Sequence, residues 1–255
     1  MEPKPATVLR GVRVLELGQV LAGPFAGAIL ADLGAEVVKV ERVQGGDDAR
    51  QMGPPFRHGD AINFHIFNRG KQSVALDLKS AEGLAAFERL AAEADIFIHN
   101  MRPGVPRNLG IDGAALCGRH PRLIYCEINA FGHSGSMAMK HGYEPLIQAF
   151  SGLSSTNGGP DDPPLRSGAS VCDMGSGMWA VIGALAMLQQ REHTGRGGIV
   201  TTSLLETALV WNGQKADAYA NQGKPPKRHR PGHPAFVPYQ AFDPQAAPLP
   251  THSAN

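Results

Sequence analysis

The sequence predicts an α/β protein: an open, mostly parallel β-sheet with helices on both faces. Three observations carry this. Short apolar runs of strand length alternate with stretches of helical period along most of the chain. Residues 12–41 read as strand, glycine-containing turn, helix and strand, which is a βαβ unit. Hydrophobic residues make up 42% of 255 residues, enough for a sizeable core.

Val12 to Leu17 is the first strand, followed by a turn at Gly18. Pro24 suits the first position of the next helix, Phe25 to Leu33, and Gly34 suits its end. Val37 to Val40 is the second strand and closes on Glu41 and Arg42. Residues 44–69 are polar, with glycine and proline, and read as a long loop with short helical pieces. Ser73 to Leu78 is a strand, and Ser80 caps a helix reaching about Ala94. Asp95 to Asn100 is a strand whose carboxyl end turns through Met101, Arg102 and Pro103. Ligands of open α/β sheets bind at that edge. A short helix (Ile111 to Arg119), a strand (Leu123 to Ile128), a loop (Phe131 to Gly142) and a helix (Tyr143 to Phe150) follow. After the central helix come a strand, Gly198 to Thr202, and a helix, Leu204 to about Ala220.

The segment from Ser167 to Gln190 carries one formal charge, Asp173. Met178, Val181, Ile182, Leu185 and Leu188 recur at helical spacing, with Trp179 and alanines between them. A helix apolar all round is expected to be buried, which puts one carboxylate at the start of a core helix. Four glycines, the Asp and two Gln argue against a membrane span. Two readings of Asp173 stay open on these residues alone. It is an N-cap, or it is a working carboxylate in a tight pocket, with Gly175 and Gly177 leaving room for another molecule.

A net charge of +1 implies no general affinity for nucleic acid or anionic membrane. The N-terminus lacks a signal-peptide core, and Cys117, Cys126 and Cys172 have neither disulfide nor metal spacing. Cytoplasm is the expected compartment. Gly18, Gly23 and Gly27 do not form GxGxxG, so a dinucleotide site is weakly supported. Arg42 suits a phosphate, and a solvated strand end accounts for it equally well.

Several signatures in order resemble the family III acyl-CoA transferases. That group contains formyl-CoA and carnitine CoA-transferases and shares a superfamily with α-methylacyl-CoA racemase. The signatures are Ala22-Gly-Pro-Phe, Leu33-Gly-Ala-Glu-Val-Val-Lys-Val-Glu-Arg, Asn68-Arg-Gly-Lys with Leu76-Asp-Leu-Lys, Arg102-Pro-Gly, Gly142-Tyr-Glu and Thr194-Gly-Arg-Gly. The resemblance implies a Rossmann-like fold, with coenzyme A arriving as acyl-CoA, no metal, and Asp173 as nucleophile. It implies that an acyl group passes to Asp173 as a mixed anhydride, that an aspartyl-CoA thioester follows, and that a small carboxylic acid leaves as the new CoA ester. Leu21 and Ala22 then line the thiol end, Arg42 nears the nucleotide phosphates, and Leu76 and Lys79 face adenosine. Asn100, Met101 and Arg102 run along pantetheine, and His141 and Tyr143 approach the nucleophile.

Departures from the family pattern are expected to matter. Asn108 stands where the family often has a CoA-contacting Arg, with Arg107 one place early. Tyr143 replaces the histidine of the racemase branch and favours transferase over the alternative, a racemase or epimerase. Family-like sequence ends near Phe242, so the expected division is a large domain, 1–221, then a basic, proline-rich linker and divergent tail, 222–255. On this reading the chain is truncated at its C-terminus and the family's small domain is absent. A homodimer is implied if the missing part is dispensable. A non-catalytic CoA-binding fragment is the further alternative.

Overall fold

The computed structural model describes residues 8–224 and Arg228. β1 (Arg13–Leu17), α1 (Ala22–Asp32) and β2 (Glu36–Glu41) form the expected βαβ unit. A 3-10 turn (Asp48–Gln51), a hairpin of β3 (Phe56–Arg57) and β4 (Asp60–Ala61), and α2 (Ile62–Phe67) fill the segment expected as loop. β5 (Lys71–Ala75), α3 (Ala81–Glu93), β6 (Ile96–His99), α4 (Val105–Asn108), α5 (Gly113–Arg119) and β7 (Ile124–Asn129) follow. The chain continues through α6 (Glu144–Phe150), α7 (Val171–Thr194), β8 (Gly198–Ser203), α8 (Leu204–Trp211) and α9 (Gly213–Gln222). The helix expected over 204–220 is thus divided at Asn212. The expected linker and tail, 222–255, lie almost wholly outside the described residues.

The main sheet has the order β5-β2-β1-β6-β7-β8, and every neighbouring pair is parallel. The chain works outward from β1 to β5, then returns to start the other half at β6. The carboxyl ends of β1 and β6 therefore flank the topological switch point, where such sheets open a crevice. Alternation along the strands feeds two cores. Val14, Val37, Ile98 and Cys126 pack toward α1 and α7, through Ala26, Leu30, Ala180 and Ala184. Leu15, Val40, Phe97 and Tyr125 pack toward α3 and α5, through Phe87, Ala91 and Leu116. Caps fix the helix ends: Ser80 Oγ accepts from Gly83 N, Asp112 Oδ1 accepts from two amides, and Gly34 is left-handed at φ 98°.

Two expectations about α7 are corrected. The helix is not buried all round: Met178, Trp179 and Ile182 are 45%, 38% and 52% exposed. Their stripe faces away from the sheet, and Trp179 stacks on Trp211 of α8 at 6.2 Å between ring centroids. The two glycines of its first turns admit other helices, not a ligand. A Cβ on Gly177 would lie 2.7 Å from the Ala22 carbonyl oxygen, and one on Gly175 2.5 Å from Thr207 Cγ2. Among the described residues α7 is the one helix long and apolar enough to cross a membrane, yet it lies against α1, β7, β8 and α8.

Candidate active site

A cleft of about 980 Å³ opens at the switch point. Its floor is the turn from Gln19 to Ala22 after β1 and the Asn100–Met101 segment after β6. Asn100 ties them: its Oδ1 accepts from Gln19 N at 2.8 Å and its Nδ2 donates to Gln19 O at 2.9 Å. The turn is sharp. Leu21 N donates to Gln19 O at 2.9 Å across Val20, whose φ is +65°. A β-branched residue in that region costs on the order of 1–3 kcal/mol, so surrounding contacts must hold it there.

Eleven of the twelve residues expected at the site line this cleft: Leu21, Ala22, Arg42, Leu76, Lys79, Asn100, Met101, Arg102, His141, Tyr143 and Asp173. Asn108 is the exception. It ends the short helix α4, of which Val105 and, just after it, Leu109 line the cleft, whereas Arg107 and Asn108 do not. The rim carries Arg42, Lys79, Arg102 and Lys140. Arg42 also donates to Gly46 O and pairs with Asp48, so an incoming anion would share or displace that carboxylate.

Asp173 sits in the first turn of α7 but does not cap it. Ser170, at the N-cap position, offers no side-chain bond either. The cap comes from another helix. Glu144, 3% exposed at the start of α6, accepts from Asp173 N at 2.6 Å and Cys172 N at 3.0 Å. Gln148 Nε2 donates to Glu144 Oε1 at 2.6 Å and fixes its orientation. Asp173 is left with a carboxylate that accepts no hydrogen bond among the described residues. Burial, and then the negative charge of Glu144, push its pKa from 3.8 up to about 7. The sequence reading quoted Glu144 in a motif and missed this role. An acid opening one helix shortly before an uncapped helix start was the available signal.

Two further supports were not foreseen. His99 is fully buried, and its Nδ1 accepts from Met101 N at 3.2 Å, which fixes the strand-end turn. Its Nε2 lies 2.6 Å from the Tyr125 hydroxyl, and burial lowers its pKa to about 3, so the ring is neutral. Glu41, where a dinucleotide site would place its ribose acid, is fully engaged. Arg50 donates to both its oxygens at 2.7–2.8 Å, and Ser73 and Asp47 N donate as well.

Comparison with known proteins fits this geometry. The pattern "CoA-transferase family III" matches residues 9–247, beyond the expected end of family-like sequence. The chain belongs to CoA-transferase family III. It is 38% identical over 244 residues to "Succinate--glutarate CoA-transferase" of Agrobacterium fabrum, covering 93% of this chain and 61% of that one. It is 40% identical to "Succinyl-CoA:glutarate CoA-transferase" of Mus musculus, covering 92% and 54%. "Acetyl-CoA:oxalate CoA-transferase" of Acetobacter aceti is 36% identical, covering 96% and 63%. Among solved structures, a CAIB/BAIF family protein from Brucella suis superposes with a TM-score of 0.87 at 38% identity, covering 94% of this chain and 64% of that one. The family III chain described here therefore spans less than two thirds of the length of these relatives.

Proposed function

We propose that the cleft binds an acyl-CoA and that Asp173 carries the group transferred between coenzyme A and a carboxylic acid. One observation carries this reading: a carboxylate without hydrogen-bond donors among the described residues, its pKa raised by burial to about 7, stands in the wall of a large cleft with a cationic rim. The ionised oxygen of Asp173 attacks the thioester carbonyl carbon, the C–S bond breaks, and CoA leaves as thiolate. The product is a mixed anhydride. The thiolate then attacks the aspartyl carbonyl carbon, the donor acid leaves as carboxylate, and an aspartyl-CoA thioester remains. An acceptor carboxylate repeats the sequence in reverse and frees Asp173.

Weak solvation raises the reactivity of the Asp173 carboxylate once it is ionised, and the surrounding apolar wall limits hydrolysis of both intermediates. Among the described residues no side chain caps α1, so the amides at its start can face an oxyanion formed over Leu21 and Ala22. Arg42, Lys79 and Arg102 supply charge for the nucleotide phosphates. Succinate, glutarate and oxalate, named in the relatives above, are dicarboxylic; the acetyl donor of the Acetobacter aceti protein is the one monocarboxylic group among the three names. We assign the dicarboxylic class here, with Lys140 on the cleft wall available to the distal carboxylate. Tyr143, 66% exposed at the cleft, stands where a racemase would need a histidine base to move the α-proton, and this favours transfer.

The test is trapping with hydroxylamine during incubation with succinyl-CoA. Transfer predicts a hydroxamate on Asp173, found by peptide mass, and none in Asp173→Ala, whose CoA affinity stays within a few fold. CoA binding without trapping would leave a binding module only. No CoA binding would overturn the reading.

A further inference from the structure

Beneath the Gln19–Ala22 turn lies a buried charge cluster that the chemistry above does not use. Glu16 and Lys39 are neighbours in register on β1 and β2, and their side chains are 0% and 1% exposed. Lys39 Nζ lies 2.8 Å from Glu16 Oε1 and 2.9 Å from Asp47 Oδ2, and donates to Gly18 O at 2.7 Å. Lys71 Nζ lies 2.6 Å from Glu16 Oε2 and donates to Pro24 O at 2.7 Å. Two carboxylates and two amines balance, which is the condition for keeping such charges buried.

The cluster grips the turn at both ends, through Gly18 O and Pro24 O. Its middle is gripped by Asp47. With Oδ2 held by Lys39, its Oδ1 accepts from Val20 N at 2.9 Å and from Ala49 N at 2.9 Å. Val20 is the residue with φ +65°. A valine does not adopt that conformation by preference, and the side-chain hydrogen bond to its own amide comes from Asp47. The residues on either side of it, Gln19 and Leu21, line the cleft.

We propose that Asp47, itself fixed by Lys39, is a positioning residue: it holds the Val20 peptide in its left-handed conformation and so presents Gln19, Leu21 and Ala22 to the CoA thioester. This rests on the reading of the cleft as a CoA site. A cluster that merely filled the core would affect folding and leave the cleft of the folded protein unchanged.

The experiment compares wild type, Asp47→Asn, Val20→Gly and the double variant of the full chain. It reads CoA affinity by calorimetry and amide exchange of the turn by mass spectrometry. Asp47→Asn is expected to weaken CoA by about tenfold, the scale of one lost hydrogen bond to a charged group, and to speed exchange at Val20 relative to the sheet. Adding Val20→Gly is expected to restore most of the affinity, since glycine enters the left-handed region without strain. Unchanged affinity in folded Asp47→Asn, or no recovery in the double variant, overturns the proposal. Should Asp47→Asn fail to fold, Lys39→Met is added to it, which removes one amine with the one carboxylate and keeps the buried charges balanced; the same loss of affinity and recovery by Val20→Gly are expected there, and their absence overturns the proposal. If wild type binds no CoA, the CoA reading fails, and Val20 exchange alone decides: acceleration in Asp47→Asn supports the hold on the turn, and unchanged exchange refutes it.

Discussion

Replacing Asp173 with Asn should make the protein more stable at neutral and alkaline pH. The carboxylate's pKa is raised in the fold, from 3.8 to about 7, so the folded state resists its ionisation. The sign follows. Between those values the folded chain binds more protons than the unfolded chain, and stability falls as pH rises through that window. At 1.36 kcal/mol per pKa unit, the full cost above pH 7 is about 4 kcal/mol, an upper bound because water in the cleft screens the charge. At pH 5 the same relation leaves about 1.6 kcal/mol. An amide of the same shape carries none of this. Denaturant titration of wild type and Asp173→Asn at about pH 8 and about pH 5 measures both differences. The midpoint gain on heating should be roughly 10 °C at the higher pH, given 2–4 °C per kcal/mol for a chain of this size. Equal stabilities at pH 8, or a gain that does not shrink at pH 5, would refute the argument that this carboxylate is electrostatically poised.

Glu144→Gln removes the charge that helps raise the Asp173 pKa. The pH midpoint of hydroxamate trapping should move down from about 7, and an unmoved midpoint would leave burial as the whole cause. Gly177→Val places atoms against the Ala22 carbonyl oxygen, where a Cβ alone would lie 2.7 Å away, and should cost about 1–3 kcal/mol in denaturant titration. Glu41 is held at a pKa of about 2, below its ordinary 4.5; burial opposes this, and hydrogen bonds from Arg50, Ser73 and Asp47 N outweigh it. Its stabilisation is present above pH 4.5 and lost as pH falls toward 2, so Arg50→Met should flatten the acid limb of the stability curve.

The fold was legible because its signals are local. Gly34 and Ser80 mark helix ends within a few residues, and apolar runs such as Ile96–His99 mark strands. The cleft lining was legible through motifs clustered at strand ends, where the sheet topology collects them. What stayed hidden depends on partners distant in sequence. Glu16 and Lys39 read as ordinary strand polar positions until registration puts them side by side beneath α1. Asp47 looks like loop until its carboxylate is found on Val20. The exposed stripe of α7 was misjudged because hydrophobicity reports the tendency to be covered, not by what or from which side.

The division of labour between two acids explains how the role proposed for Asp173 suits the place where it stands. A carboxylate in the first turn of a helix ordinarily gains from its free amides and dipole, and its pKa falls. Here those amides are already taken. Glu144, from a different helix, accepts from both Cys172 N and Asp173 N and brings its own negative charge to the same helix end. The stabilising donors thus go to the acid that stays buried, and the acid in the cleft wall receives, among the described residues, desolvation and repulsion. Exchanging these roles would destroy the site without changing its composition: an Asp173 that capped α7 would be ionised, solvated by backbone amides, and a weaker nucleophile. Helix α6 is therefore as much a part of the proposed active site as the residues that line it, although Glu144 itself does not line the cleft.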